Sequence, residues 1–135
     1  MIASCNQNKE NNQVAVENNE FVASAPKIQR NVASENAEVY FITPSPNAVV
    51  SNPVKVEFGV IEMEIVPSGQ NTPLTGHHHI IIDKGFMPYG EIIPMNPAHL
   101  HYGKGDTVAT ISLASGDHSL TLQFANGLHM SYGEQ

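Results

Sequence analysis

"PVKVEFGV", residues 53–60, sets apolar and polar side chains in strict alternation. Val54, Val56, Phe58 and Val60 fall on one side, Lys55 and Glu57 on the other. Successive side chains of an extended chain point to opposite faces, so this pattern turns one face to a core and the other to water. It reads as a half-buried strand, and the chain on either side is read from it. Upstream, "EVYFITPSPNAVV" offers a short β-rich run from Val39 to Thr43, stopped by Pro44 and Pro46, neither of which could sit inside a central ladder. Downstream, "EMEIV" continues the strand on a shifted face, after a bulge near residues 59–61.

The rest of the chain repeats the pattern. "PSGQNTPLTG" is a loop by its Pro, Gly and Asn content. "HHHIIID" is a strand bounded by Gly76 and Gly85, and "KGFMPYGEIIPMNPA" is a long irregular crossing. "HLHY" is a short strand closed by "GKGD". "TVATISL" sets Val108, Thr110 and Ser112 opposite Ala109, Ile111 and Leu113, and "HSLTLQF" groups His118, Leu120, Leu122 and Phe124. "ANG" signals a hairpin-type turn, after which "LHMSY" starts a last strand. No window carries a 3.6-residue apolar repeat. Short strands with Gly and Pro punctuation predict an all-β, antiparallel β-sandwich of about 7 strands. A sandwich of this kind calls for one strand more than the sequence holds.

Composition narrows the function. The chain has 135 residues, 41% hydrophobic and 14% charged, enough for one domain with its own core. Its formal net charge is −7 with only 6 Lys and Arg, so it lacks the basic patch that phosphate contacts need, and nucleic acid is not an expected partner. No stretch reaches the roughly 20 apolar residues of a membrane-spanning helix. "MIASC" resembles a bacterial lipobox: Ile2, Ala3 and Ser4 precede Cys5, which would be lipidated, though the basic and apolar parts of an export signal are missing before it. Cys5 is the only cysteine, so no intramolecular disulfide is available. The following "NQNKENNQVAVENNE" holds few large apolar residues and predicts a disordered tether, giving residues 1–36 as lipobox and tether and 37–135 as the sandwich. The expected address is the bacterial cell envelope, periplasm or outer membrane, with the membrane touched through the lipid anchor alone.

Three blocks in order, "GHHHIIID", "HLHYGKGDT" and "GDHSLTLQFANGLHM", resemble domain-of-unknown-function family 4399 over residues 38–132. The resemblance implies a small exported bacterial domain of immunoglobulin-like fold. It implies no activity.

All seven histidines lie between residues 77 and 129. Residues two apart on a strand share a face, separated by about 6.6–6.8 Å. His77 and His79 therefore pair on one face with His78 on the other, and His99 and His101 pair likewise. Imidazoles so placed can lean together on one ion at metal–nitrogen distances of about 2.0–2.1 Å. The expected metal ligands are His77, His79, His99 and His101, with His129 and Met130 at the edge of the cluster. Imidazole suits copper or zinc, and thioethers such as Met95 and Met130 bias a site towards Cu(I). Two other readings stand beside metal: a hydrogen-bonded histidine network that holds the fold of a structural or adhesive envelope module, and a proton-sensing surface. His78, beside Ile80 and Ile82, is expected to pack and hydrogen-bond, and His118 to play a structural part beside Leu120 and Leu122. Asp83 and Asp106 are either turn residues or carboxylates that orient an imidazole. No nucleophile elbow, zinc-protease helix or phosphate-binding loop is present, so a binding module is expected rather than an enzyme.

Overall fold

The computed structural model describes residues 30–135, and the Cys5 lipobox and the tether up to residue 29 lie outside the described residues. Seven strands form a sandwich of two sheets, with no helix among the described residues. The first sheet holds β1 (Glu38–Thr43), β2 (Val54–Ile61) and β6 (Val108–Ile111) in the order β1-β2-β6. The second is built on β4 (Thr75–Ile82), which pairs antiparallel with β5 (His99–Tyr102) and with β7 (Leu120–Ala125). A two-residue β3 (Glu64–Ile65) lies parallel to the start of β4, the one parallel strand pairing among the described residues.

The alternation in β2 does what the sequence predicts. Val54, Val56 and Phe58 are buried, Lys55 is exposed, and the three apolar side chains meet Ile80 of β4, Ile111 of β6 and Leu122 of β7 in the core. Burying each such side chain contributes roughly 1.5–3 kcal/mol. The pattern fails at Val60, which is only half-buried. The expected continuation through "EMEIV" also fails. Glu62 takes a left-handed backbone (φ 57°), which ends β2 and carries Glu64 and Ile65 across to the second sheet. No bulge occurs at residues 59–61, where β1 and β2 stay in register; the irregularity lies between Phe41 and Thr43.

β4 is buried along nearly its whole length because both of its faces are covered. Its inner face, His78 and Ile80, meets the first sheet. Its outer face, His77, His79 and Ile81, lies under the irregular crossing and the C-terminal segment. Gln123, on the outer face of β7, fastens this cover: its Oε1 accepts from the Met87 N–H (2.9 Å) and its Nε2 donates to the Gly133 carbonyl (2.5 Å). Backbone bonds from Gly90 to Ser131, Ser131 to Glu91 and Ile93 to His129 join the two covering segments to each other. At the other end, residues 31–34 are held to the domain by Asn31 Nδ2 donating to Asn71 Oδ1 (2.8 Å) and Ser34 Oγ donating to Glu62 Oε2 (2.7 Å).

Candidate metal centre

Strand periodicity sends His77 and His79 outward from β4. The register of the sheet sets His101 of β5 directly opposite His79. The fourth imidazole comes from the turn after β7. Asn126 builds that turn, its side-chain oxygen accepting from the Leu128 and Met130 N–H groups (2.9 and 3.0 Å) and its carbonyl from the His129 N–H (2.9 Å). The chain then returns beside β7 through an Ala125–Ser131 bridge. His129 holds a left-handed backbone (φ 63°). That conformation costs a residue with a Cβ roughly 1 kcal/mol or more, and such strain gathers at functional sites.

The four rings form one cluster. Centroids of His77 lie 5.0 Å from those of His79, His101 and His129, and His101 and His129 are 4.8 Å apart. Two pairs of ring nitrogens face each other, His77 and His79 through their Nε2 atoms at 3.1 Å and His101 and His129 through theirs at 3.2 Å. Cis ligands on an ion at 2.0–2.1 Å are about 2.9 Å apart in a square and about 3.3 Å apart in a tetrahedron, so both pairs already stand at ligand spacing. His77, His101 and His129 offer one ligand atom each within 4.8 Å of one another, and these three can hold a metal ion. His79, facing His77, lies against the same group.

The cluster has a buried floor and a half-buried rim. His77 and His79 are 0% exposed, while His101 and His129 are half-buried. Burial lowers the His77 pKa to about 4, with the neighbouring imidazoles adding to the shift, and lowers that of His79 further for the same reasons. Burial, then His129, lowers His101. Neutral imidazoles with free lone pairs are the form a metal requires.

Two glycines set the rim. The loop after β3 bridges the end of β5 and the β7 turn, Ser68 N–H donating to Gly103 (2.8 Å) and Gly69 N–H to Gly127 (2.9 Å). A methyl group at Gly103 would run into the His101 ring, and one at Gly127 into the Gln70 backbone.

The remaining residues of the expected set lie elsewhere or on the margin. His99 shares the outward face but is two residues further along and opposite Ile81. Its Nδ1 faces Asn96 Oδ1 at 2.9 Å, an oxygen that also accepts from the Ala98 N–H. Met130 is buried beside His129, with its backbone bridged to Ile92. Met95 is exposed.

His78 faces inward between Phe58 and Phe124, at 5.0 and 4.9 Å. The expected hydrogen bond is missing, since neither ring nitrogen has a partner. Burial lowers its pKa to about 4, opposed weakly by the Gly59 carbonyl, which lies outside hydrogen-bond geometry. His118 does not join the Leu120 and Leu122 face. It is exposed, with its Nδ1 2.8 Å from Asp83 Oδ2 and its Nε2 3.0 Å from the Ala114 carbonyl. Asp83 is thus a turn residue (φ 57°) that orients an imidazole outside the cluster. Sequence reasoning read Gly103, within "GKGD", and Asn126 and Gly127, within "ANG", only as turn residues and missed their parts at the site.

No curated protein and no solved structure matches the chain. A family model described as domain of unknown function DUF4399 matches residues 56–135, which take in β2 from Val56, the whole second sheet and every residue of the histidine cluster. With more than half of its length matched, the chain belongs to that family.

Proposed function

We propose that this protein is a transition-metal-binding module for copper or zinc, not an enzyme, and that the ion sits among His77, His79, His101 and His129. The convergence of four imidazoles from three separate segments, with two Nε2 pairs at 3.1 and 3.2 Å, carries the reading. The competing network of fold-stabilising histidines fits less well, because the four imidazoles contact one another through Nε2 and none of those contacts ties the cluster to a backbone group or to another kind of side chain. A proton-sensing surface fits less well still, since the two floor histidines are fully buried. We further propose that the domain is carried on a lipid anchor at Cys5 and works in the bacterial cell envelope; the Ile2-Ala3-Ser4-Cys5 box supports this.

The test is elemental analysis of untagged protein after equilibration with one equivalent of Zn(II) or copper and gel filtration. About one ion per chain is expected, falling to background in the His101→Ala/His129→Ala double variant. Undiminished uptake by the double variant would place the ion elsewhere.

A further inference from the structure

Resting on the metal-binding reading above, we infer that the preferred occupant of the histidine cluster is copper in its monovalent state. Charge is the first argument. Every group in the ligand set is an imidazole, which brings no negative charge, and the grouping that can hold an ion contains no carboxylate and no thiolate among the described residues. An ion entering this site keeps its full charge. The hydration it gives up grows with the square of that charge, so a dication loses roughly four times as much as a monocation.

The outer nitrogens give the second argument. A ligating histidine ordinarily donates its other ring N–H to a carboxylate or carbonyl, which makes the imidazole a stronger donor. With Nε2 turned to the ion, His77 and His79 would each carry that proton on Nδ1, and both Nδ1 atoms are buried with no acceptor. Their donor strength is not raised in the way that sites for Zn(II) or Cu(II) usually arrange. A monocation, which gives up less hydration on entry, depends less on that reinforcement than a dication does. Entry by way of the half-buried His101 and His129 leaves the charge-free floor, His77 and His79, as the innermost contact.

The experiment is an anaerobic competition on the untagged chain, with Cu(I) buffered by a chromophoric chelator and Zn(II) by a second one. Cu(I) is expected to bind at least about tenfold more tightly than Zn(II). The His129→Asp variant supplies the missing carboxylate at a backbone position that Asp tolerates. It should move the preference at least about tenfold towards Zn(II). Tighter binding of Zn(II) by the unaltered chain would overturn the assignment to Cu(I) while leaving a transition-metal site standing. Failure of both ions to bind would overturn the metal reading itself. An unchanged preference in a folded His129→Asp variant would overturn the charge argument.

Discussion

Replacing His78 separates the roles of the three consecutive histidines. This ring is 0% exposed, held edge-on between Phe58 and Phe124, and both of its nitrogens lack partners. Two substitutions should then behave differently. His78→Ala opens a cavity and should cost about 2–4 kcal/mol. His78→Leu keeps most of the volume and removes an unpaired polar penalty of about 1–3 kcal/mol, so it should lie within about 1 kcal/mol of the parent at pH 7.5, or above it. The pH dependence is the sharper test. The folded-state pKa of about 4 lies below the ordinary histidine value of 6.5, so the native state binds fewer protons than the unfolded chain between those values. Stability from this residue is complete above pH 6.5 and is lost as pH falls towards about 4. At pH 5 the loss is about 2 kcal/mol, and the Leu variant escapes it. Urea denaturation of both proteins at pH 7.5 and pH 5.0 should therefore show their difference moving by about 2 kcal/mol in favour of Leu. Pairwise subtraction removes packing terms, which do not depend on pH. A difference that stays constant across the two pH values would refute the burial argument. A Leu variant as unstable as the Ala variant at pH 7.5 would show that the ring nitrogens are paired.

Gly103→Ala should displace the His101 ring, lowering stability by about 1–3 kcal/mol and weakening metal uptake, as read by urea melts and metal titration. A chain starting at residue 37 should be about 1–2 kcal/mol less stable than one starting at residue 30, because it loses the Asn31–Asn71 and Ser34–Glu62 hydrogen bonds; equal urea midpoints would show these bonds to be idle. NMR titration should find the His118 imidazole above the usual histidine value, held up by the Asp83 carboxylate and the Ala114 carbonyl, and Asp83→Asn should bring it down. If lipid is attached at Cys5, a full-length precursor with an export signal should partition into detergent and its Cys5→Ser variant should not; equal partitioning would remove the anchor from the account.

The core was legible because its signal is local. Alternation through Val54, Val56 and Phe58 needs no knowledge of the partner sheet, and the same period-2 logic sorts His77 and His79 from His78. Where the chain changes sheet, that logic ends. Glu62 reverses the backbone with a φ that glycine usually supplies, and nothing in "VIEMEI" announces it. Half of the histidine site depends on cross-strand register: His79 meets His101 because β4 and β5 pair as they do, and no sequence spacing states this. His99 shows the opposite case. "NPAH" carries an Asn that bonds the backbone two residues on, and that Asn turns the His99 ring aside. His78 was expected to hydrogen-bond because buried polar groups usually do. Its neighbours are two phenylalanines, a circumstance that only packing reveals.

A crystal structure of the untagged domain with one equivalent of copper, with anomalous scattering recorded at the metal edge, would locate the ion directly. A single anomalous peak is expected at about 2.0–2.1 Å from Nε2 atoms of His77, His101 and His129, with His79 beside or completing the set. An ion bound elsewhere, at His118 and Asp83 for example, or a crystal whose imidazole cluster stays metal-free, would contradict that placement.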